Sequence, residues 1–174
     1  MGPDAPAGPL IEVRVAHLGL DRTTNSPVVV LKEQGGERIL PIWIGPAEAS
    51  AIAMELAGVK FARPLTHDLV KQIILGLGGE LRRVVISAVR DSTYFAELQI
   101  HRDDSAVFQV DARPSDSIAV ALRLHSPIFA AEALLDLVSP DSVEMQGDQG
   151  PLDADALKTY LQNLDPEDFG KFKP

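Results

Sequence analysis

The chain contains no cysteine among its 174 residues. That excludes a disulfide framework, a thiolate nucleophile and zinc–thiolate coordination. Aromatic residues are scarce at 5%, and Trp43 is the single tryptophan. Basic residues are short as well: 16 Lys and Arg stand against 25 Asp and Glu, a formal net charge of −9. Phosphate neutralisation supplies much of the affinity of general nucleic-acid binders, so this balance argues against a broad, non-specific DNA or RNA surface. It leaves room for a small basic site, for which Arg63, Arg113 and Arg123 are available. No apolar run approaches the length that crosses a bilayer. Residues 1–9 lack the basic start and apolar stretch of a secretory signal. A cytoplasmic protein without membrane contact is the expectation. Missing too are a glycine-rich phosphate loop, a serine-nucleophile elbow and a zinc-helix motif.

What is present is a 45% hydrophobic content, ample for one ordinary domain or two small repeats sharing a core. The stretch 110–123 has the form of a strand running into a helix. Pro114 has its φ already set for a first turn, and Ser115 and Asp116 can accept the free N–H groups there. Ile118, Ala119, Ala121 and Leu122 then make a small-residue apolar face. The same device occurs at 44–54. Pro46 aligns with Pro114 and Glu48 with Asp116 at one constant offset, while Gly45 stands opposite Arg113. This pattern predicts an internal duplication.

Each half reads as three strands followed by two helices. The first has strands at 11–20, 28–31 and 39–44, a helix from Pro46 to about 56, and a helix capped by Thr66 that stops at Gly78-Gly79. The second has strands at 81–89, 94–100 and 107–112, the helix from Pro114, and a helix over about 130–138. The expected fold class is mixed α/β (α+β): internally duplicated β3-α2 units in one compact domain spanning 10–138. Repeat one covers about 11–78 and repeat two about 80–138. Residues 139–151 read as a linker, and 152–174 as a short C-terminal helix capped by Asp153, with a charged tail.

Three acids recur at helix starts: Glu48, Asp68 and Asp116. Each can serve simply to complement the helix dipole. If the halves face one another across a pseudo-twofold axis, Glu48 and Asp116 would also meet. His67 and Asp68 sit beside Arg63; histidine and carboxylates suit magnesium or manganese, and histidine can act as general base. Against this stands a capped helix start with a solvated histidine. Arg113 must pair with a carboxylate such as Asp68 or Glu48, or clamp a phosphate. Trp43 reads as core rather than as a stacking platform.

Residues 41–48, the run Arg63-Pro64-Leu65-Thr66-His67-Asp68 and the run Ala112-Arg113-Pro114-Ser115-Asp116-Ser117-Ile118-Ala119 resemble the bifunctional nuclease (BFN) domain family. The resemblance covers about 11–138 in three ordered motifs. It implies a mixed α/β fold with duplicated halves, homo-oligomeric assembly and nuclease activity on DNA and RNA. Its matched polar positions are Glu48, Arg63, His67, Asp68, Arg113, Ser115 and Asp116. The expected function is a metal-assisted nuclease hydrolysing phosphodiester bonds. In it His67, Asp68, Arg113 and Asp116 are catalytic, Arg63 and Ser115 bind substrate, and Glu48, Asp68 and Asp116 hold a divalent metal such as Mg or Mn. The alternative is a non-enzymatic, homo-oligomeric ligand-binding or regulatory module whose polar cluster is structural. Alanine-rich helices and β-branched strands leave apolar surface for a homodimer in either case.

Overall fold

Two antiparallel meanders follow from the alternating, β-branched segments. The first joins β1 (Leu10–Asp21), β2 (Ser26–Glu33) and β3 (Ile39–Trp43); the second joins β4 (Gly79–Arg90), β5 (Thr93–Arg102) and β6 (Ala106–Ala112). The structure is a computed structural model that describes residues 8–21, 24–103, 106–137 and Thr159. In the β4–β5 hairpin, Asp91 and Ser92 form a two-residue turn with φ of 48° and 60°. That left-handed pair matches the right-handed twist of the strands it joins. Helix α1 (Pro46–Leu56) follows β3, α2 (Thr66–Gly76) precedes β4, and α3 (Pro114–Leu124) follows β6. The class is α+β, as expected.

The helix expected over about 130–138 is instead a strand and a single short turn of helix: β7 (Ile128–Ala131) and α4 (Glu132–Asp136). Strand β7 lies antiparallel to β1 and parallel to β4, and so unites the meanders into one seven-stranded sheet of order β3-β2-β1-β7-β4-β5-β6. A four-residue apolar run fits either period. Two open strand edges needing backbone partners decide in favour of the strand. Pro46 and Pro114 both open a helix behind a third strand. Beyond those helices the halves part: the first continues into α2, the second into β7 and α4. The linker at 139–151 lies outside the described residues, as does the C-terminal helix and tail apart from Thr159.

Helix α3 is the hub of the helical layer. Ile118, Ala119, Val120 and Ala121 are buried, as are Ala49, Ala51 and Ile52 of α1. Small side chains let these two helices approach closely. Arg123, counted above as a candidate surface cation, is 4% exposed and works as a strut. Its Nε donates to Asp68 Oδ1 at 2.8 Å, Nη1 to the Ala119 carbonyl at 2.8 Å and Nη2 to the Ala51 carbonyl at 3.0 Å. Three helices are thereby tied through one guanidinium. Lys71 Nζ adds a bond to the Arg123 carbonyl at 2.9 Å, so α2 is latched to α3.

Candidate functional site

Gly45 and Arg113 are the N-caps of α1 and α3, both extended, and neither helix has a side-chain cap. Ser115 and Asp116 therefore do not cap α3 as the sequence suggests. Asp116 is drawn sideways instead. Its Oδ2 accepts from Arg113 Nε at 2.7 Å, and its Oδ1 is bonded to His67 Nε2 at 2.9 Å. Arg113 Nη1 meets Glu48 Oε1 at 2.7 Å. A continuous chain Glu48–Arg113–Asp116–His67 results, linking the starts of α1, α3 and α2. A β-carbon on Gly45 would collide with the Glu48 carboxylate. The glycine opposite Arg113 in the repeated pattern thus leaves room for the Glu48 carboxylate as it is placed beside that arginine.

The electrostatics follow from these contacts. The His67 hydrogen bond first, and then Arg113, hold the Asp116 carboxyl down to about 2 against the opposing effect of burial. Arg113 is raised, chiefly by the bond to Asp116. Its Nη2 makes no hydrogen bond among the described residues, which leaves that nitrogen as a donor for an incoming anion.

Asp68 faces elsewhere. Its Oδ2 accepts the Leu65 N–H at 3.0 Å and its Oδ1 takes Arg123. That backbone bond is the first cause of its lowered pKa. Leu65, rather than Thr66, is the N-cap of α2. Arg63 is exposed in the connection between α1 and α2, with no ion pair among the described residues. The expected metal set of Glu48, Asp68 and Asp116 does not gather at one point: Arg113 stands between the first and the last, and Asp68 is committed to Arg123. Among the described residues no three His, Asp or Glu side chains converge as metal ligands. These side chains do not fit the expected ion as arranged.

Beside the chain of charges lies a cleft of about 450 Å³. Glu48, Arg113 and Ser115 line it, with Ile42, Trp43, Ile44 and Tyr94 as its apolar wall and Thr24, Ser26, Ser92 and Thr93 from the two hairpin turns. His67 and Asp116 are not part of the lining and connect to it through Arg113. Trp43, expected in the core, is 46% exposed here, and its indole N–H donates to Asp21 Oδ2 at 2.9 Å. It ends an edge strand, which alternation alone does not reveal.

The bifunctional nuclease domain matches residues 29–142. The chain belongs to the bifunctional nuclease domain family. An uncharacterized protein of Mycobacterium tuberculosis is 40% identical over 163 residues, covering 91% of this chain and 97% of that one. Bifunctional nuclease 2 of Arabidopsis thaliana is 32% identical over 106 residues, 60% of this chain and 32% of the plant protein. Bifunctional nuclease 1 of the same plant is 32% identical over 105 residues, again 32% of its length. This bifunctional nuclease domain thus spans about a third of those plant proteins. Of the seven polar positions singled out in the sequence, the fold brings Glu48, His67, Arg113 and Asp116 into one bonded chain and sets Ser115 beside it. It turns Asp68 away and leaves Arg63 at the surface. Arg123 was hidden as a partner.

Proposed function

We propose that this chain is a nuclease that hydrolyses phosphodiester bonds in DNA and RNA. The bonded chain Glu48–Arg113–Asp116–His67, with Arg113 reaching a cleft, carries this reading. Arg113 takes up the phosphoryl charge through Nη2, and Glu48 holds the guanidinium toward the cleft. With Nε2–H given to Asp116, His67 retains Nδ1 as proton acceptor, and Asp116 orients the ring as in other carboxylate–histidine pairs. Water attacks phosphorus, and its proton passes to His67 by way of a second water, since His67 stands outside the lining. A new P–O bond forms as the ester P–O bond breaks, and the leaving oxygen takes a proton from the histidine. Ser115 lines the approach, and Arg63 meets the substrate outside it.

Highly purified chain is expected to cleave single-stranded DNA and RNA. His67→Gln and Arg113→Gln should each lower the rate by roughly 10²–10³-fold, and parallel reactions with EDTA, Mg²⁺ or Mn²⁺ read ion dependence. Equal rates in parent and variants would trace the cleavage to a contaminant. A second reading, a non-catalytic ligand-binding module, draws support from the mutual pairing of the charged groups. No cleavage under any ion condition would favour it.

For assembly the proposal is a homodimer. Leu65, Leu69 and Ile73 form an exposed apolar row on α2, and Val107, Phe108 and Val110 are exposed on the edge strand β6. Light scattering should return twice the chain mass; a monomer across a wide concentration range would reject it. No described helix is long and apolar enough to cross a membrane. A cytoplasmic location is part of the same proposal.

A further inference from the structure

Resting on the phosphodiesterase reading, we infer that this cleft engages only one or two nucleotides of a phosphoester, the base against Trp43 and the phosphoryl group at Arg113, rather than tracking a long strand. Size is the first argument. A volume of about 450 Å³ falls within the range of roughly 300–1,000 Å³ that houses small molecules. The second is the aromatic wall. Trp43 is half exposed where it lines the cleft, and its bond to Asp21 holds the indole in place, offering a base a flat surface that needs no ordering.

Charge supplies the third argument. Surfaces that track a polynucleotide place many cations along a groove. Here one guanidinium is flanked by two carboxylates, Glu48 and Asp116, in a chain of net charge −9. One phosphoryl group can use the unbonded Nη2 of Arg113. The next phosphates along a strand would find no further cation among the described residues of the lining. Hydroxyls from both hairpin turns, Thr24 and Thr93 among them, suit a sugar at the mouth better than further phosphates.

Because Trp43 is the only tryptophan, the intact chain reports its own occupancy. Tryptophan fluorescence would be followed while adenylyl-(3′,5′)-adenosine is titrated in, and separately with an oligoadenylate of about twenty nucleotides. The dinucleotide is expected to quench saturably, and the long strand to bind within a few fold of it. Arg113→Gln should weaken dinucleotide binding by about tenfold or more with the far-UV spectrum unchanged; Arg113→Lys, which keeps the charge and loses the fork, should fall between. A long strand binding more than about tenfold tighter than the dinucleotide, or a dinucleotide without effect, would overturn the inference. The cleavage assay separates this outcome from the parent reading. Cleavage of long strands without dinucleotide binding leaves the nuclease and removes the size limit. Dinucleotide binding without hydrolysis leaves the ligand class and removes the catalysis.

Discussion

Asp68→Ala is expected to destabilise the fold by about 3–5 kcal/mol, although Asp68 lies away from the cleft. The Arg123 side chain is 3% exposed, and Asp68 is its sole carboxylate partner among the described residues. The Ala119 and Ala51 carbonyls satisfy its other nitrogens and leave its charge uncompensated. The variant also loses the bond to the Leu65 N–H, so the start of α2 loosens together with its latch. A fall of roughly 10 °C in melting temperature follows for a chain of this size. Asp68→Asn keeps acceptors for both contacts and should lose less. Adding Arg123→Met to Asp68→Ala should recover most of the loss, because a well-packed apolar pair often replaces a buried ion pair at no cost. Parent-like melting of Asp68→Ala would show that Arg123 reaches water by another route.

Asp116→Ala is expected to do the reverse: cut cleavage sharply while hardly touching stability. On sequence alone, removing Asp116 threatens to strand a buried arginine at roughly 3–5 kcal/mol. The structure lowers that figure. The Arg113 side chain is 65% exposed and keeps Glu48, so water takes the vacated place and the loss is about 1 kcal/mol. The rate should nevertheless drop by about 10²–10³-fold, since His67 loses the group that orients it. Acid titration provides an independent check. The folded-state pKa of Asp116, at about 2, lies below the unfolded value of about 3.9. Its stabilisation is therefore complete above the unfolded value and is lost as pH falls through the folded one. Parent and Asp116→Ala melting curves should converge near pH 2, and a constant gap down to that pH would contradict the assigned contacts.

Much of the architecture was legible in the chain itself. The turn residues at 34–37, the alternating β-branched runs and the prolines at 46 and 114 follow from local steric and hydrogen-bonding rules, and they place six strands and three helices. The family, too, was legible in three short motifs. Strand β7 was not, because four apolar residues satisfy either periodicity until two open sheet edges compete for their backbone. Nor were the partners of the charged residues. Glu48, Asp68 and Asp116 look alike in sequence, each an acid in the first turn of a helix. Only the packing of α1, α2 and α3 assigns Asp68 to a buried arginine, and Glu48 and Asp116 to an exposed one. The reason is physical: helix-start chemistry is local, whereas the choice of counter-ion depends on distances of a few ångströms between segments far apart in the chain.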